Sequence, residues 1–176
     1  MNIIKINNLW YNYTVGDIVK IKEIIVCMFF FVILVLIRSF VITPIRVDGD
    51  SMNNTLMHGD LMILNKYNKK NIKRFDIVVI NLNGDNLIKR VIGLPKEDIE
   101  YKDGILYIDN NKLDENFGFN ETEDFKAYCA MSEYFVIGDN RNNSLDSRVY
   151  GCISSNDILG TVNFRFFPFK KFGNVK

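Results

Sequence analysis

Apolar residues in this chain fall into one long run followed by many short ones. The run from Ile24 to Ile37 contains no charged residue, and beyond Arg38 the apolar character continues to Ile42. Together they approach the roughly 20 residues that an α-helix needs to cross a bilayer. Because no small-x-small cleavage motif follows the run, we predict an uncleaved membrane anchor over 23–42. The alternatives are a buried core helix and a removed signal peptide.

The segments after the anchor are short, β-branched and aromatic, which is typical of strands. Asn83-Gly84 and Asp103-Gly104 are turn signals between such segments. We therefore predict a mostly β, antiparallel domain, with an exposed loop or small insertion over Asp114–Lys126. The predicted strands are Leu61–Lys66, Phe75–Leu82, Asn86–Gly93, Ile99–Tyr101, Gly104–Ile108, Glu133–Ile137 and Ile158–Phe167.

Lysines precede the apolar run and predict its orientation. Lys5, Lys20 and Lys22 lie on its N-terminal side, and positive residues are retained in the cytoplasm. We predict a cytoplasmic segment over 1–22, the anchor over 23–42 and an extracytoplasmic domain over 43–176.

Composition excludes several classes of function. The 176 residues carry a formal net charge of +1, and no basic patch interleaved with aromatics indicates a nucleic-acid surface. The only histidine is His58, which excludes an HExxH metalloprotease and most histidine-built metal sites. Cys27, Cys129 and Cys152 lack zinc-site spacing. Cys129 and Cys152 lie beyond the anchor, where a disulfide is permitted, but the sequence leaves their pairing open.

Two segments suggest a serine nucleophile and an unusual base. Ser51 lies in a polar segment over 47–60, and a serine hydroxyl needs a base to become a good nucleophile. His58 is close in sequence and has no obvious orienting carboxylate. A lysine can replace it if burial lowers the pKa of its amine by roughly three units. Lys89 follows Leu87 on one face of a predicted strand; the alternative is a snorkelling lysine on an edge strand.

A third segment, Gly138–Arg148, is too polar and turn-rich for a core strand. It follows an apolar strand, which would deliver it to the same region of the domain. The alternative is a solvated turn held by its own Asx hydrogen bonds.

The three segments, in this order, resemble the signature boxes of bacterial type I signal peptidases. The resemblance covers the anchor, Ile45–Lys66, Phe75–Pro95 and Glu133–Gly151. It implies an antiparallel β fold built around two sheets, in a single-pass protein of the bacterial plasma membrane. It also implies a serine endopeptidase that removes signal peptides from exported preproteins after small-x-small sites. The enzyme would be a monomer that needs no metal or organic cofactor and binds no nucleic acid. The substrate would add an extended strand to a sheet edge.

The resemblance also assigns individual residues. Ser51 resembles the acylated nucleophile, Lys89 the general base, and Ser144 the hydroxyl that orients the lysine amine. The residues that resemble a supporting ion-pair cluster are Asp146, Arg148 and Arg90, with Ser147 beside them. The residues that would shape two shallow apolar substrate pockets are Met52, Leu56, Ile45, Val47, Leu87 and Ile88.

Some positions depart from the family pattern. Gly49 stands where some members have a serine that helps the oxyanion hole, so the Ser51 N–H is the one clear donor. Asn54 replaces a frequent proline, and Lys96 replaces a frequent glycine. The short stretch between the second and third boxes leaves room only for a small accessory domain.

Other functions remain open at this point. A different serine–lysine peptidase, such as a self-cleaving repressor, would require a DNA-binding domain and a cytoplasmic location, which the apolar run disfavours. The remaining alternatives are a catalytically inactive, membrane-tethered binding module and a dedicated paralogue of the same fold. The aromatic stretch Phe164–Phe169, with Phe172, either fills the last core strand or rests on the bilayer.

Overall fold

The computed structural model describes residues 2–6, 9–13, 15–40, 42–118 and 122–175. It divides into two compact units, Met1–Phe40 and Val41–Lys176, at the junction where the apolar run ends.

The first unit contains a hairpin and a long helix. Strands β1 (Asn2–Ile6) and β2 (Leu9–Tyr13) pair antiparallel; neither was predicted. Helix α1 (Val15–Phe40) begins well before the predicted anchor because no proline interrupts the sequence between its ends. Its apolar side chains are largely exposed, including Phe31 at 67%. Among the described residues, no helix combines the length and apolar character needed to cross a membrane.

The second unit is built from short antiparallel strands, and the predicted mostly β, two-sheet architecture is confirmed. Its strands are β3 (Ile42–Arg46), β4 (Leu61–Asn65), β5 (Ile77–Leu82), β6 (Asp85–Gly93), β7 (Asp98–Lys102), β8 (Ile105–Ile108), β9 (Asn111–Leu113), β10 (Phe125–Tyr128), β11 (Glu133–Ile137), β12 (Ile153–Ser154), β13 (Ile158–Phe167) and β14 (Gly173–Asn174). Its helical turns are a single-turn helix α2 (Ser147–Tyr150) and 3₁₀ turns at Tyr67–Lys70, Arg141–Asn143 and Phe169–Lys171.

The strands form one large and one small sheet. The large sheet has the order β12-β11-β6-β5-β13-β4-β3, with β14 beside β13. The small sheet has the order β10-β7-β8-β9. Strand β13, the last long strand in the sequence, therefore lies between β4 and β5 and joins the two halves of the large sheet.

The middle of the large sheet is covered on both faces. In β5, Ile77 and Val79 pack into one apolar cluster, whereas Val78 and Ile80 pack into another on the opposite face. This explains why β5 is a continuous apolar run and does not alternate with polar residues. A third cluster contains residues of both sheets, such as Tyr101 on the small sheet and Phe135 on the large one.

The acidic segment over Asp114–Lys126 is more than the exposed loop or insertion that we predicted. Its last residues belong to β10, which pairs with β7, and the Phe125 ring stacks on Phe135 at 5.2 Å between centroids. Near its start, the Glu115 side chain is only 9% exposed because it pairs with a buried arginine. The Glu115 carboxylate neutralises the buried charge of Arg141, a partner that the local sequence does not indicate.

Cys129 and Cys152 are joined by a disulfide with a Cα–Cα separation of 5.6 Å. The bridge links the end of β10 to the residue before β12 and encloses all of the sequence between them, including Gly138–Arg148. The question that the sequence left open is thus answered: these two cysteines pair, and Cys27 is free.

Candidate active site

The loop that carries Ser51 joins β3 to β4 and is closed at its base by backbone hydrogen bonds. The Val47 N–H donates to Asp60 O over 2.9 Å. Within the loop, Met52 and Leu56 are buried at 1% and 0% exposure in the apolar cluster beneath it. These anchors fix the backbone on either side of Ser51.

Lys89 reaches Ser51 from the middle of the large sheet. Its Nζ lies 2.8 Å from Ser51 Oγ at hydrogen-bond geometry, and it also donates to Ile88 O over 3.1 Å. The residue is only 2% exposed. Because β6 is paired on both sides, by β5 and β11, the alternative of a snorkelling lysine on an edge strand is wrong.

The surroundings of Lys89 favour a neutral amine. Burial lowers its pKa from 10.5 to about 8, because removal from water disfavours the charged form. The Asp146 carboxylate acts in the opposite direction and raises the pKa, whereas the Arg148 guanidinium adds to the lowering. A substantial fraction of the amine is therefore neutral at mildly alkaline pH.

The third polar segment packs against the backbone of the Ser51 loop. The Asn140 N–H donates to Ser51 O over 3.0 Å, and the Asn140 side-chain amide donates to Asp50 O over 3.1 Å. Gly138 approaches so closely that a Cβ at this position would lie 2.5 Å from Ser51 O and would overlap Ser144 Oγ. Only a glycine fits here.

Ser144 is brought near the site, but its hydroxyl is not bonded to the lysine as expected. Its Oγ is buried and has no hydrogen-bond partner of normal geometry. The tight turn before Ser144 places the hydroxyl against Gly138, and there it helps to lower the pKa of Asp146. Among the described residues, Ser144 Oγ does not make the predicted hydrogen bond to Lys89.

Asp146 and Arg148 form an ion pair at the start of α2. Arg148 donates to both carboxylate oxygens of Asp146, over 2.8 and 2.9 Å, and the Gly138 N–H donates to Asp146 Oδ2 over 3.0 Å. Burial by itself raises the pKa of Asp146, but these bonds outweigh it and lower the pKa. Ser147, beside the pair, accepts the Val136 N–H over 2.9 Å and ties the segment to β11.

Arg90 does not join Asp146 and Arg148, which corrects the predicted cluster. It pairs instead with Asp139, through contacts of 2.8 and 2.7 Å between side chains that are 0% and 1% exposed. Neighbouring residues of a strand point to opposite faces, so Arg90 points away from the side on which Asp146 acts. Thr55 Oγ1 lies 2.5 Å from Asp139 Oδ2 and links this pair to the Ser51 loop.

A second buried pair holds the other side of the Ser51 loop. Arg165, on β13, has its Nε 3.0 Å from Asp60 Oδ2, as an ion pair rather than a well-directed hydrogen bond. Arg165 Nη2 donates to Thr55 O over 2.5 Å, and Asp60 accepts the Met57 N–H over 3.0 Å. The loop is thus braced from two strands.

A cleft of about 490 Å³ opens beside Ser51 and Lys89. The predicted pocket residues that line it are Ile45, Val47, Met52, Leu87 and Ile88. Leu56 does not line the cleft, because it is fully buried in the cluster beneath. Leu64, Val79 and Leu159 add apolar surface that the sequence did not assign to the site.

His58 is exposed and has other partners. Its Nδ1 is 3.2 Å from Asp48 Oδ1 and 3.3 Å from the Gly49 nitrogen. No hydrogen bond links it to Ser51 or Lys89 in the part of the chain that the structure describes. That part also contains no group of His, Cys, Asp and Glu residues able to hold a metal ion.

The sequence matches a family described as "Signal peptidase, peptidase S26" over residues 20–167. The chain belongs to the signal peptidase family and is a peptidase of the signal peptidase I type. Signal peptidase I of Bacillus caldolyticus is 41% identical, over 77% of this chain and 85% of its own length. Signal peptidase IB of Staphylococcus aureus is 34% identical, over 81% and 86% respectively.

A solved signal peptidase structure is also similar. The crystal structure of a signal peptidase I from Enterococcus faecalis V583 is 37% identical, covers 51% of this chain and 95% of that chain, and superimposes with a TM-score of 0.45.

Several residues around the candidate signal peptidase site were not identified from the sequence. They include Asp139, the partner of Arg90, and Arg141, which is 4% exposed and donates to Gly138 O over 3.1 Å. Asp139 lay within the recognised third segment, so its position offered a signal. Asp60 likewise ends the polar segment over 47–60, whereas nothing local distinguished Arg165 from an ordinary surface charge.

Proposed function

We propose that this chain is a membrane-bound serine endopeptidase that removes signal peptides from exported preproteins, with Ser51 as nucleophile and Lys89 as general base. The observation that carries the proposal is the 2.8 Å contact between Lys89 Nζ and Ser51 Oγ, made by a lysine that is 2% exposed. A buried amine of lowered pKa next to a hydroxyl is an arrangement suited to proton abstraction near neutral pH.

The reaction follows from this geometry. The neutral Lys89 amine takes the proton as Ser51 Oγ attacks the scissile carbonyl, and the Ser51 N–H is the first candidate to donate to the resulting oxyanion. Collapse breaks the C–N bond, the mature protein leaves as an amine that receives the proton from Lys89, and the signal peptide remains esterified to Ser51. Lys89 then takes a proton from water as the water oxygen attacks the ester carbonyl. Collapse breaks the bond to Ser51 Oγ, Lys89 returns the proton to that oxygen, and the signal peptide leaves with a free carboxyl group.

The lining of the cleft suits a recognition sequence made of small, apolar residues. Ile45, Val47, Met52 and Ile88 present apolar surface beside the nucleophile. Such a surface gains free energy from burying small aliphatic side chains. We propose that it accepts the small residues of a small-x-small cleavage site, in a peptide that binds as an extended strand.

We further propose that the N-terminal helix holds the enzyme at the bacterial plasma membrane. The uncharged stretch Ile24–Ile37 presents side chains such as Phe29, Phe31 and Leu34, which are 61%, 67% and 64% exposed. Apolar side chains of this size favour a lipid environment over water. The lysines before this stretch support a cytoplasmic N-terminus and an external peptidase domain.

Matched substitutions test the serine–lysine mechanism. Purified Ser51→Ala should lose turnover of a preprotein, and so should Lys89→Ala. Lys89→Arg should not restore it, because guanidinium stays charged. His58→Ala, the matched control, should keep most activity. Cleavage is followed by gel, and the cut site is located by N-terminal sequencing. Near-normal turnover by Lys89→Ala together with an inactive His58→Ala would replace the dyad with a histidine mechanism.

The pH dependence provides a second test of the base. Because the base must be neutral, kcat/KM should rise as the pH increases through the pKa of Lys89, about 8. A profile that is flat between pH 6 and 9 would contradict a lysine base.

Protease accessibility tests the proposed topology. A protease added to intact spheroplasts should digest the domain after Thr43, because that domain would face outward. Digestion that occurs only after lysis would place the domain in the cytoplasm.

A further inference from the structure

The stretch Glu115–Gly118 lies between the second and third motifs, outside both of them, and contacts two buried arginines. Glu115 forms an ion pair with Arg141, and Phe117 O accepts Arg141 Nη2 over 3.4 Å. Gly118, at φ +92°, packs so closely that a Cβ would lie 2.5 Å from Arg141 Cζ. Arg141 in turn donates to Gly138 O over 3.1 Å. The stretch is therefore fastened to the segment that packs on Ser51.

The Phe117 ring covers the guanidinium of Arg90. Arg90 Cζ lies 3.6 Å from the ring centroid, and Phe117 also packs against Phe75 at 5.3 Å between centroids. Two cavities, of about 580 and 380 Å³, are both lined by Phe117. Truncation of this side chain would open the guanidinium to water from these cavities, and a cation over an aromatic face is most strongly held when it is desolvated.

Arg90 connects this cover to the nucleophile. It holds Asp139 with two hydrogen bonds, and Asp139 is 2.5 Å from Thr55 Oγ1. The Thr55 N–H donates to Met52 O over 3.0 Å, in the turn that directly follows Ser51. Water at Arg90 would weaken its ion pair with Asp139 and loosen this turn, because a buried ion pair is stronger in a low dielectric.

We propose that Phe117 is a positioning residue for catalysis: by covering Arg90 it keeps the Arg90–Asp139 pair dry and so holds the Ser51 loop in register with Lys89. This inference rests on the proposed serine–lysine function. Phe117 acts through Arg90, and it is not one of the residues that line the cleft.

Substitutions of Phe117 in the full-length, detergent-solubilised enzyme test this. With a small-x-small peptide substrate, Phe117→Ala should lower kcat by about tenfold and leave KM within about twofold, because alignment is lost but the cleft is intact. Phe117→Tyr, which keeps a ring over Arg90, should retain kcat near wild type. Phe117→Leu, which keeps apolar volume without the aromatic face, should fall between them. Tyr67→Ala, at a ring that is 82% exposed, is the matched control and should change neither constant.

The outcomes separate positioning from simple stability. All variants are assayed at a temperature where circular dichroism shows them folded. If Phe117→Ala lowers the melting temperature but keeps kcat, Phe117 is structural only and the proposal fails. If Phe117→Ala does not fold, the comparison of Phe117→Leu with Phe117→Tyr carries the test, and equal kcat values for these two variants overturn the proposal. Ser51→Ala is run in parallel: residual cleavage there would defeat the proposed function itself, whereas an inactive Ser51→Ala with a normal Phe117→Ala would defeat only this inference.

Discussion

Lys89 carries an amine into the interior of the domain, and its burial has consequences for stability as well as for chemistry. Its folded pKa of about 8 lies below the reference value of 10.5. Between these values the unfolded chain binds a proton that the folded chain does not, so stability falls as the pH decreases from 10.5 to 8. Below pH 8 the buried lysine costs about 3 kcal/mol of unfolding free energy.

Replacement of this lysine should therefore stabilise an inactive enzyme. Lys89→Met, which keeps the length without the charge, should raise the unfolding free energy at pH 7 by about 1–3 kcal/mol. The gain should shrink at pH 10, where the native amine is neutral. Urea unfolding of the protein without residues 1–42 measures both values. If Lys89→Met is less stable than the wild type at pH 7, the lysine is well solvated or its charge is compensated by its neighbours.

Gly138 offers a second prediction at the residue scale. A Cβ there would overlap Ser144 Oγ and would lie 2.5 Å from Ser51 O, so Gly138→Ala must displace one of them. Because displacements of about 1 Å in an active site can cost about 100-fold in rate, we expect a loss of that order in kcat. Asn142→Ala, at an exposed position of the same segment, should have little effect. Equal activity of the two variants would mean that the segment moves aside without consequence.

Among the elements, the disulfide confines the whole third segment. Cys129 and Cys152 are separated by 23 residues, and closing a loop of this size stabilises a fold by about 3 kcal/mol. The double variant Cys129→Ser/Cys152→Ser should lose stability of that order. It should nevertheless retain turnover well below its melting temperature, because neither sulfur adjoins Ser51. Chemical denaturation measures the difference, and Cys27→Ser is the control. An unchanged midpoint would show that β11 and α2 hold the segment without the bridge.

Sequence patterns predicted the long strands well and the short ones poorly. Strand β6 was predicted because its segment is rich in β-branched residues, and the alternation of the strand places Lys89 and Arg90 on opposite faces. Strands such as β12 and β14 have two residues each, too few for any period to be visible. They exist because neighbouring strands supply hydrogen-bond partners.

The candidate site was predictable where residues cluster in sequence and not where partners are distant. Ser51 and Lys89 stood in recognisable motifs, but the choice of Asp139 over Asp146 as partner for Arg90 depends on the twist and register of β6 against β11. Glu115 was one acidic residue among several in its segment. Its burial against Arg141 depends on contacts across 26 residues of sequence, which no local pattern encodes.

At the scale of the whole molecule, an aromatic patch near the C-terminus remains exposed. Phe167, Phe169 and Phe172 are 44%, 79% and 61% exposed, and Lys170 and Lys171 lie between the last two. Aromatic residues favour the membrane interface, and lysines favour anionic lipid. The interpretation that these rings only fill the last core strand is wrong for these three.

We expect this patch to bind membranes without the helix. Protein lacking residues 1–42 should co-sediment with liposomes that contain anionic lipid, and Phe169→Ser with Phe172→Ser should weaken this binding. High salt should reduce it, because the lysine contribution is screened. Absence of co-sedimentation at every lipid composition would remove the patch from the membrane-binding surface.

The central position of β13 has a consequence for the synthesis of the enzyme. This strand comes after both Ser51 and Lys89 in the sequence, yet it lies between β4, which adjoins the Ser51 loop, and β5, which pairs with the strand of Lys89. A chain that is still emerging, or one cut short by a premature stop before Ile158, has both reactive side chains but no strand to join their halves of the sheet. Proteolytic competence is therefore expected only once β13 has been synthesised, and a chain cut short before Ile158 should not cleave the proteins around it.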